Sequence, residues 1–93
     1  MIFEWNEAKR LANLKKHGVD FDDAVEFDWE KALTTPDLRV DYGEPRFNAL
    51  AEFRGRIHAI AYALRGAKHR LISFRRASNR EARRYEKEKD QFA

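Results

Sequence analysis

The sequence predicts an α+β fold in which helices flank an antiparallel sheet of three to four strands. Helical patterns occupy the first third of the chain, strand-like alternation fills residues 46–76, and a capped helix follows. The turns between the predicted strands are short, which favours antiparallel neighbours. With 93 residues, the chain has the length of one small domain, and we expect it to span residues 1–93.

Two helices are predicted in the first third of the chain. A short edge strand at residues 3–5 leads to Asn6, a typical N-cap, and the first helix runs from there to about His17. Gly18 can adopt the left-handed conformation that ends many helices. A second, shorter helix is predicted at residues 20–27, where acidic residues crowd the first turn. The apolar residues at helical spacing in the first helix are Ala8, Leu11 and Ala12.

The sheet is predicted from period-two alternation after residue 45. Strands are expected at residues 46–53, 56–64 and 68–76, and the turns between them contain Gly55 and Gly66. The spacing of the apolar residues already departs from the helical period at residues 32–35, and Pro36 ends that segment. These segments predict an antiparallel meander.

A last helix is predicted from its N-terminal capping signal. Ser78 and Glu81 have the spacing of a capping box, and the helix is expected to run toward Asp90. Only Ala82 and Tyr85 offer an inward apolar stripe, so we expect this helix to have few contacts with the body of the protein.

Composition excludes several classes of protein. There is no cysteine, which removes disulfides and thiolate zinc sites and fits a reducing cytoplasm. No apolar run reaches the roughly 18–20 residues that cross a bilayer, so we expect a cytoplasmic protein without a membrane partner. The three histidines lack metal-ligand spacing and no Gly-rich phosphate loop exists. We therefore expect neither a metal nor a cofactor.

Charge is distributed unevenly along the chain. Residues 1–45 contain six bases and eleven acids, a net charge of −5, whereas residues 46–93 contain thirteen bases and five acids, a net charge of +8. Between residues 46 and 76, eight Arg or Lys face the single acid Glu52. Such a basic surface favours phosphate as its partner. The residues expected to bind RNA are Arg46, Arg54, Lys68, Arg70 and Arg76.

Three segments resemble a known family. Residues 3–9 (FEWNEAK), residues 13–19 (NLKKHGV) and residues 72–78 (ISFRRAS), followed by Glu81 and Tyr85, are similar to BrnT toxins and cover nearly the whole chain in order. The resemblance implies a RelE-like fold, RNA cleavage, and neutralisation by a BrnA-like antitoxin of ribbon-helix-helix type. It also implies a toxin dimer within a larger toxin–antitoxin complex.

This chain departs from the family pattern at two positions. Phe74 stands where the family often has a small residue, and Asn6 stands where it often has Asp. Neither departure removes a charge that the chemistry needs.

The chemistry of metal-free RNA cleavage selects the first candidate residues. The reaction needs a base for the 2′-hydroxyl, cations for the pentacovalent phosphorane, and an acid for the leaving oxygen. His17 is the best acid or base because imidazole titrates near neutrality, and the neighbouring Lys16 can lower its pKa or neutralise the phosphate. Alternatively, both residues merely complement the helix dipole. The resemblance favours the catalytic interpretation.

Arg75 and Arg76 end the last predicted strand. Alternation sends their side chains to opposite faces of the sheet, so one of them can enter a concave site. A guanidinium can grip two phosphate oxygens, which suits transition-state stabilisation. RelE-like enzymes use a strand-borne arginine near the C-terminus, and this makes Arg75 the stronger choice. The alternative is that both are solvated strand-end residues.

Glu52 and Arg56 are further catalytic candidates. They lie on either side of a predicted turn, so we expect a cross-strand pair that orients a catalytic group or serves as base and phosphate clamp. The alternative is a plain surface salt bridge, which contributes only about 0–1 kcal/mol.

These observations lead to one main function and two alternatives. The main hypothesis is a type II toxin that cleaves cellular RNA without a metal, by 2′-hydroxyl attack, and thereby inhibits translation. The first alternative is a non-catalytic RNA- or DNA-binding module that uses the same basic sheet, although the sheet lacks paired stacking aromatics. The second is an interaction subunit whose basic surface receives an acidic antitoxin.

Overall fold

The computed structural model describes residues 1–89, which form a five-stranded sheet with helices packed against it. The strands are β1 (Ile2–Glu4), β2 (Leu33–Pro36), β3 (Arg46–Phe53), β4 (Arg56–Arg65) and β5 (Lys68–Arg76). The helices are α1 (Glu7–His17) and α2 (Asn79–Glu88), with two 3₁₀ helices at Phe21–Glu26 and Trp29–Lys31. The predicted end of the last helix at Asp90 lies outside the described residues.

The sheet confirms the α+β class but is larger than predicted and of mixed type. The strand order is β1-β5-β4-β3-β2, and β2 to β5 form the predicted antiparallel meander. β1 pairs in parallel with β5, so the expectation of a purely antiparallel sheet of three to four strands is wrong. The pattern of a three-residue strand shows that it is extended, but it does not show which distant strand it will join.

The predicted second helix is a 3₁₀ helix of six residues rather than an α-helix. The carboxylate of Asp20 caps it by accepting from the N–H of Asp22 at 3.0 Å. Phe21, Ala24 and Phe27 are all buried, and this spacing of three places them on one side of a helix with three residues per turn. The apolar spacing therefore explains why a 3₁₀ helix replaces the α-helix.

Helix α1 has the predicted caps but packs through a polar side. Asn6 Oδ1 accepts from the N–H of Lys9 at 3.1 Å, and Gly18, with φ of 71°, donates to the carbonyl of Leu14 at 2.8 Å. Asn13 is the buried residue of α1 at 7% exposure, whereas Leu11 is 52% exposed. The apolar face formed by Ala8, Leu11 and Ala12 therefore points to solvent.

Each face of the sheet has its own apolar cluster. The core face carries the larger one, in which Ile60 lies between Ala49 and Phe74 and the first 3₁₀ helix covers them. The cleft face is the opposite face and carries Asn48, Ala61 and Ser73. Its smaller apolar cluster consists of Leu50, Ala59 and Tyr85, with Leu33, Ile57 and Ala77 packed around it.

Helix α2 is anchored to the cleft face by its single buried residue. Tyr85 is 5% exposed, packs on Leu50 and Ala59, and donates its hydroxyl to the carbonyl of Lys31 at 3.3 Å. The capping box is complete, because Ser78 Oγ accepts from the N–H of Glu81 at 3.2 Å and the Glu81 carboxylate accepts from the N–H of Ser78 at 2.9 Å. The start of α2 is therefore fixed beside the end of β5.

Candidate active site

An open cleft of about 540 Å³ lies on the cleft face beside the start of α2. Its floor consists of residues from the three central strands: Asn48, Leu50, Ala61, Ile72, Ser73 and Arg75. One wall is formed by Glu81 and Arg84 of α2, and the other by Thr35 and the segment 36–39 after β2. The cleft therefore combines a largely uncharged floor, with Arg75 as its charged residue, with further charged side chains in its walls.

Arg75 is held at the cleft by a two-pronged ion pair. Its Nη1 and Nη2 atoms donate to the two carboxylate oxygens of Glu81 at 2.7 and 3.0 Å. The hydrogen bonds from Arg75, together with the backbone N–H of Ser78, lower the pKa of Glu81 to about 2 despite its partial burial. Within residues 1–89, the Nε–H of Arg75 has no acceptor. One edge of the guanidinium is therefore oriented by protein, and the other can bind a ligand.

His17 and Lys16 lie in a smaller groove that adjoins the cleft. This groove, of about 260 Å³, shares Ile72 and Ser73 with the cleft. Burial, the charge of Lys16 and the charge of Arg75 together lower the pKa of His17. The imidazole is therefore neutral near pH 7 and can accept a proton. The structure thus places His17 and Lys16 in a groove next to the cleft that Arg75 lines, and their catalytic roles stay a prediction.

A bulge in β5 shapes the boundary between groove and cleft. The register between β4 and β5 shifts at Ala61 and Tyr62, so that Ser73 lies opposite Ala61 and Ile72 is the extra residue. As a result, two consecutive side chains, Ile72 and Ser73, both line the cleft and the groove. Bulges often redirect side chains in this way beside active sites.

The side chains of Arg75 and Arg76 lie on opposite faces of the sheet, as the strand alternation predicts. Arg76 lies opposite the buried His58, which belongs to the core face, whereas Arg75 lies opposite Ala59 on the cleft face. Arg76 is exposed on the side of the sheet away from the cleft. Arg75 is therefore the arginine that faces the candidate site.

Glu52 and Arg56 do not form the predicted cross-strand pair. The register places Glu52 opposite Ile57 and Arg56 opposite Phe53, so their side chains leave on opposite faces of the sheet. The turn between β3 and β4 is a tight two-residue connection, which fixes this register. Neither residue is among the described residues that line the cleft.

The predicted RNA-binding residues divide between two regions. Arg46 and Arg70 flank Ala63 on the cleft face, and Lys68 lies opposite Arg65 at the end of the same face. Arg46 also stacks over the ring of Tyr42, with its guanidinium carbon 4.0 Å from the ring centroid. These three cations continue the surface on which Arg75 lies.

Arg54 lies away from the cleft, in the turn between β3 and β4. Its guanidinium pairs with Glu26 at 2.6 Å and with Asp23 at 3.4 Å, both in the first 3₁₀ helix. Arg54 therefore ties the β3–β4 turn to that helix.

Four charged residues of the cleft were missed in the sequence, namely Asp37, Arg39, Glu81 and Arg84. Glu81 was recognised only as a cap, although a strand-end arginine followed by an N3 glutamate is the signal for such a pair. Arg39 is presented beside the cleft by Asp37, to which its Nε and Nη2 donate at 2.9 and 2.8 Å. Arg84 contributes a further cation from α2.

Two other features follow from the described residues. Within residues 1–89, no helix is long and apolar enough to cross a bilayer. In the same range, no three His, Cys, Asp or Glu side chains lie close enough together to hold a metal ion.

A family model matches most of the chain. The family model described as the ribonuclease toxin BrnT of type II toxin–antitoxin systems matches residues 5–81 of the 93-residue chain. No curated protein matches the chain. The matched segment contains Lys16, His17, Arg75 and, as its last residue, Glu81. The chain therefore belongs to the BrnT family of type II toxin–antitoxin ribonuclease toxins.

Proposed function

We propose that the protein is a metal-independent endoribonuclease toxin of RelE-like type that cuts cellular RNA in the cytoplasm and thereby inhibits translation. One observation carries the proposal: the groove that holds the His17 imidazole adjoins the cleft that holds the oriented guanidinium of Arg75, and the charge of Arg75 helps to lower the pKa of His17. Family membership supplies the substrate class, because BrnT is described as a ribonuclease toxin.

The residues of the cleft and of the adjoining groove suit cleavage by the neighbouring 2′-hydroxyl. His17 accepts the 2′-hydroxyl proton, the 2′-oxygen bonds to phosphorus, and the bond from phosphorus to the 5′-oxygen breaks. Arg75 stabilises the added negative charge of the phosphorane through its unpaired Nε edge. The leaving 5′-oxygen takes a proton, for which the Lys16 ammonium is the candidate donor. The products are a 2′,3′-cyclic phosphate and a 5′-hydroxyl.

The other predicted site residues receive different roles in this proposal. Arg46, Lys68 and Arg70 lie on the cleft face and bind the RNA backbone beyond the cut. Glu52 and Arg56 leave on opposite faces and cannot act as one catalytic pair. Arg54 and Arg76 lie outside the cleft, so we assign them no contact with the scissile phosphate.

Membership of a type II system implies a cognate antitoxin. We propose a BrnA-like antitoxin of ribbon-helix-helix type that neutralises the toxin in a hetero-oligomeric complex containing a toxin dimer. An antitoxin segment that covers the cleft would block the access of RNA to His17 and Arg75. Acidic residues in that segment would complement the basic cleft face.

The decisive experiment uses an RNA oligonucleotide that the toxin cuts, together with a copy carrying one 2′-deoxy sugar at the cut site. We expect cleavage of the first and none of the second, with 2′,3′-cyclic phosphate ends and full activity in EDTA. Cleavage at the 2′-deoxy position would refute the mechanism, and loss of activity in EDTA would refute metal independence.

A second experiment separates an enzyme from a non-catalytic RNA-binding module. In a His17→Ala variant, an enzyme loses growth arrest and RNA cleavage while its RNA affinity stays within about twofold. A binding module loses function only in proportion to affinity. Expression of the wild-type chain without an antitoxin must arrest growth, and harmless expression at high level would contradict the toxin assignment.

A further inference from the structure

We propose that the floor of the cleft is a nucleobase-binding subsite that selects the nucleotide next to the cut. The subsite consists of Asn48, Ala61 and Ser73 of the floor together with Thr35 of the adjoining wall, and its ligand is one unpaired base of a single-stranded RNA. This inference rests on the proposed ribonuclease function and deepens it, because it assigns sequence preference to particular side chains.

The four residues form one row across four neighbouring strands. Thr35 of β2 lies opposite Asn48 of β3, Asn48 lies opposite Ala61 of β4, and Ala61 lies opposite Ser73 of β5. Directly paired residues share one face of a sheet, and all four line the cleft. The row is therefore continuous and faces the proposed substrate.

The polar members of the row have unused hydrogen-bonding groups. Asn48 is exposed on the central part of β3, a strand position where asparagine is disfavoured. Within residues 1–89, the side chains of Thr35, Asn48 and Ser73 have no hydrogen-bond partner, unlike Asn13, whose amide is fully engaged. Their amide and hydroxyl groups can therefore bind a ligand without breaking contacts within the protein.

Ala61 leaves room for a flat ligand between these groups. Neighbouring strands are about 4.8 Å apart, so Asn48 and Ser73 lie roughly 10 Å apart on either side of Ala61. A methyl side chain at that point leaves a shallow gap in the floor, and Leu38 and Ile72 provide apolar contact beside it. A planar base fits such a gap, with its edges toward Asn48 and Ser73.

Cations lie on both sides of the row, where phosphates would be. The neighbouring row in one direction lies two residues further along the strands and contains Arg75, opposite Ala59. In the other direction is the row in which Arg46 and Arg70 flank Ala63. Each step of two residues is about 6.6 Å, so the two cationic rows lie about 13 Å apart with the subsite midway between them. A base in the subsite would thus lie between the scissile phosphate at Arg75 and a phosphate further along the RNA backbone.

The chemistry of the row identifies the kind of ligand. An asparagine amide offers a donor and an acceptor side by side, and hydroxyl groups offer both as well. Base edges present the same combination, and they are accessible only in unpaired RNA. A paired helix would hide these edges, so the subsite requires a single-stranded cut site.

The test compares where variant toxins cut RNA. Asn48→Ala removes the amide, and Ala61→Leu fills the gap without removing a hydrogen-bonding group; Asn79→Ala, at an exposed position of α2 outside the cleft, is the matched control. Each variant is expressed in cells without an antitoxin, and the 5′-hydroxyl ends are mapped across the RNA. Purified variants then cut oligonucleotides that differ in one base next to the cut.

We expect the wild type and Asn79→Ala to share a base preference next to the cut. Asn48→Ala and Ala61→Leu should each reduce that preference on the order of tenfold, mainly by slowing cleavage of the preferred sequence. Thermal melting verifies that all variants are folded.

Three other outcomes would overturn the inference or its basis. A wild type that cuts without base preference, or folded variants that keep the full preference, overturns the subsite and leaves the ribonuclease function intact. Absence of RNA cleavage by the wild type, both in cells and in vitro, overturns the proposed function itself.

Discussion

The side chain of Asn13 is joined to the backbone of Phe74 by two hydrogen bonds. Asn13 Nδ2 donates to the Phe74 carbonyl at 2.7 Å, and the Phe74 N–H donates to Asn13 Oδ1 at 3.1 Å. β1 pairs only with residues 68–70 of β5, so the edge of β5 beyond them has no strand neighbour from β1. The amide of α1 replaces the missing neighbour at Phe74.

This contact also determines where the catalytic candidate lies. His17 follows Asn13 by four residues, about one turn of α1, so it lies on the same side of the helix. Arg75 follows Phe74 directly in β5. The contact between Asn13 and Phe74 therefore fixes the distance between His17 and Arg75, one from each element.

We predict that Asn13→Ala lowers both stability and activity. It leaves the buried N–H and carbonyl of Phe74 without partners, which costs about 2–4 kcal/mol of unfolding free energy. Urea denaturation measures that loss, and RNA cleavage below the melting range measures activity. Asn79→Ala is the control, with a change within about 0.5 kcal/mol. Equal stability of Asn13→Ala and wild type would show that water replaces the amide without cost.

Most of the fold could be predicted from local signals in the sequence, whereas the long-range pairing of strands could not. The caps at Asn6 and Ser78 and the meander of β3 to β5 depend on neighbouring residues, and all were predicted. The parallel pairing of β1 with β5 joins residues more than 60 positions apart. The hydrophobic pattern also does not predict which side of α1 is buried, because the helix packs on a strand edge through an amide rather than on an apolar surface.

The candidate site could likewise be predicted only where it depends on local features of the sequence. The positions of Lys16, His17 and Arg75 followed from a helix end and a strand end, both of which are local features. The link between Arg75 and Glu81 was missed because the glutamate already had a structural explanation as a cap. One carboxylate serves both purposes, and only coordinates show the second.

We predict that Arg75→Lys lowers kcat by about 10²–10³-fold, because an ammonium cannot bind Glu81 and a phosphate with two oriented edges. The matched control is Arg76→Lys, one residue further along β5 but on the other face of the sheet. It should change kcat by less than roughly twofold. Equal losses in the two variants would indicate general RNA attraction instead of a positioned guanidinium.

We predict that cleavage increases with pH through the pKa of His17. The imidazole must be neutral to act as a base. Because burial together with Lys16 and Arg75 lowers the pKa of His17, the rise in activity should occur at a lower pH than the usual titration range of histidine. Lys16→Met removes one of these positive charges, so the rising limb of the plot of activity against pH should move to higher pH. The dependence of kcat/KM on pH measures both. A limb that persists in His17→Asn would assign the titration to another group.

Glu81 has two roles that variants can separate, the capping of α2 and the orientation of Arg75. Glutamine can replace glutamate in a capping box, so Glu81→Gln keeps α2 capped but loses the charged grip on Arg75. We expect a fall in kcat of about tenfold or more with KM little changed, because the guanidinium is misdirected in the transition state. Ser78→Ala is the complementary variant, with a cap weakened by about 1 kcal/mol and the Arg75 pair intact.

Acid denaturation provides an independent readout of the same pair. The folded pKa of Glu81, about 2, lies below its ordinary value of 4.5, so its ion pair stabilises the fold above pH 4.5 and loses this effect as the pH falls toward 2. Allowing for the partial exposure of both side chains, the contribution is about 1–2 kcal/mol. In Glu81→Gln, this part of the acid dependence should disappear, whereas Ser78→Ala should retain it. If Ser78→Ala instead lost activity as fully as Glu81→Gln, then the cap, and not the charge, would position Arg75.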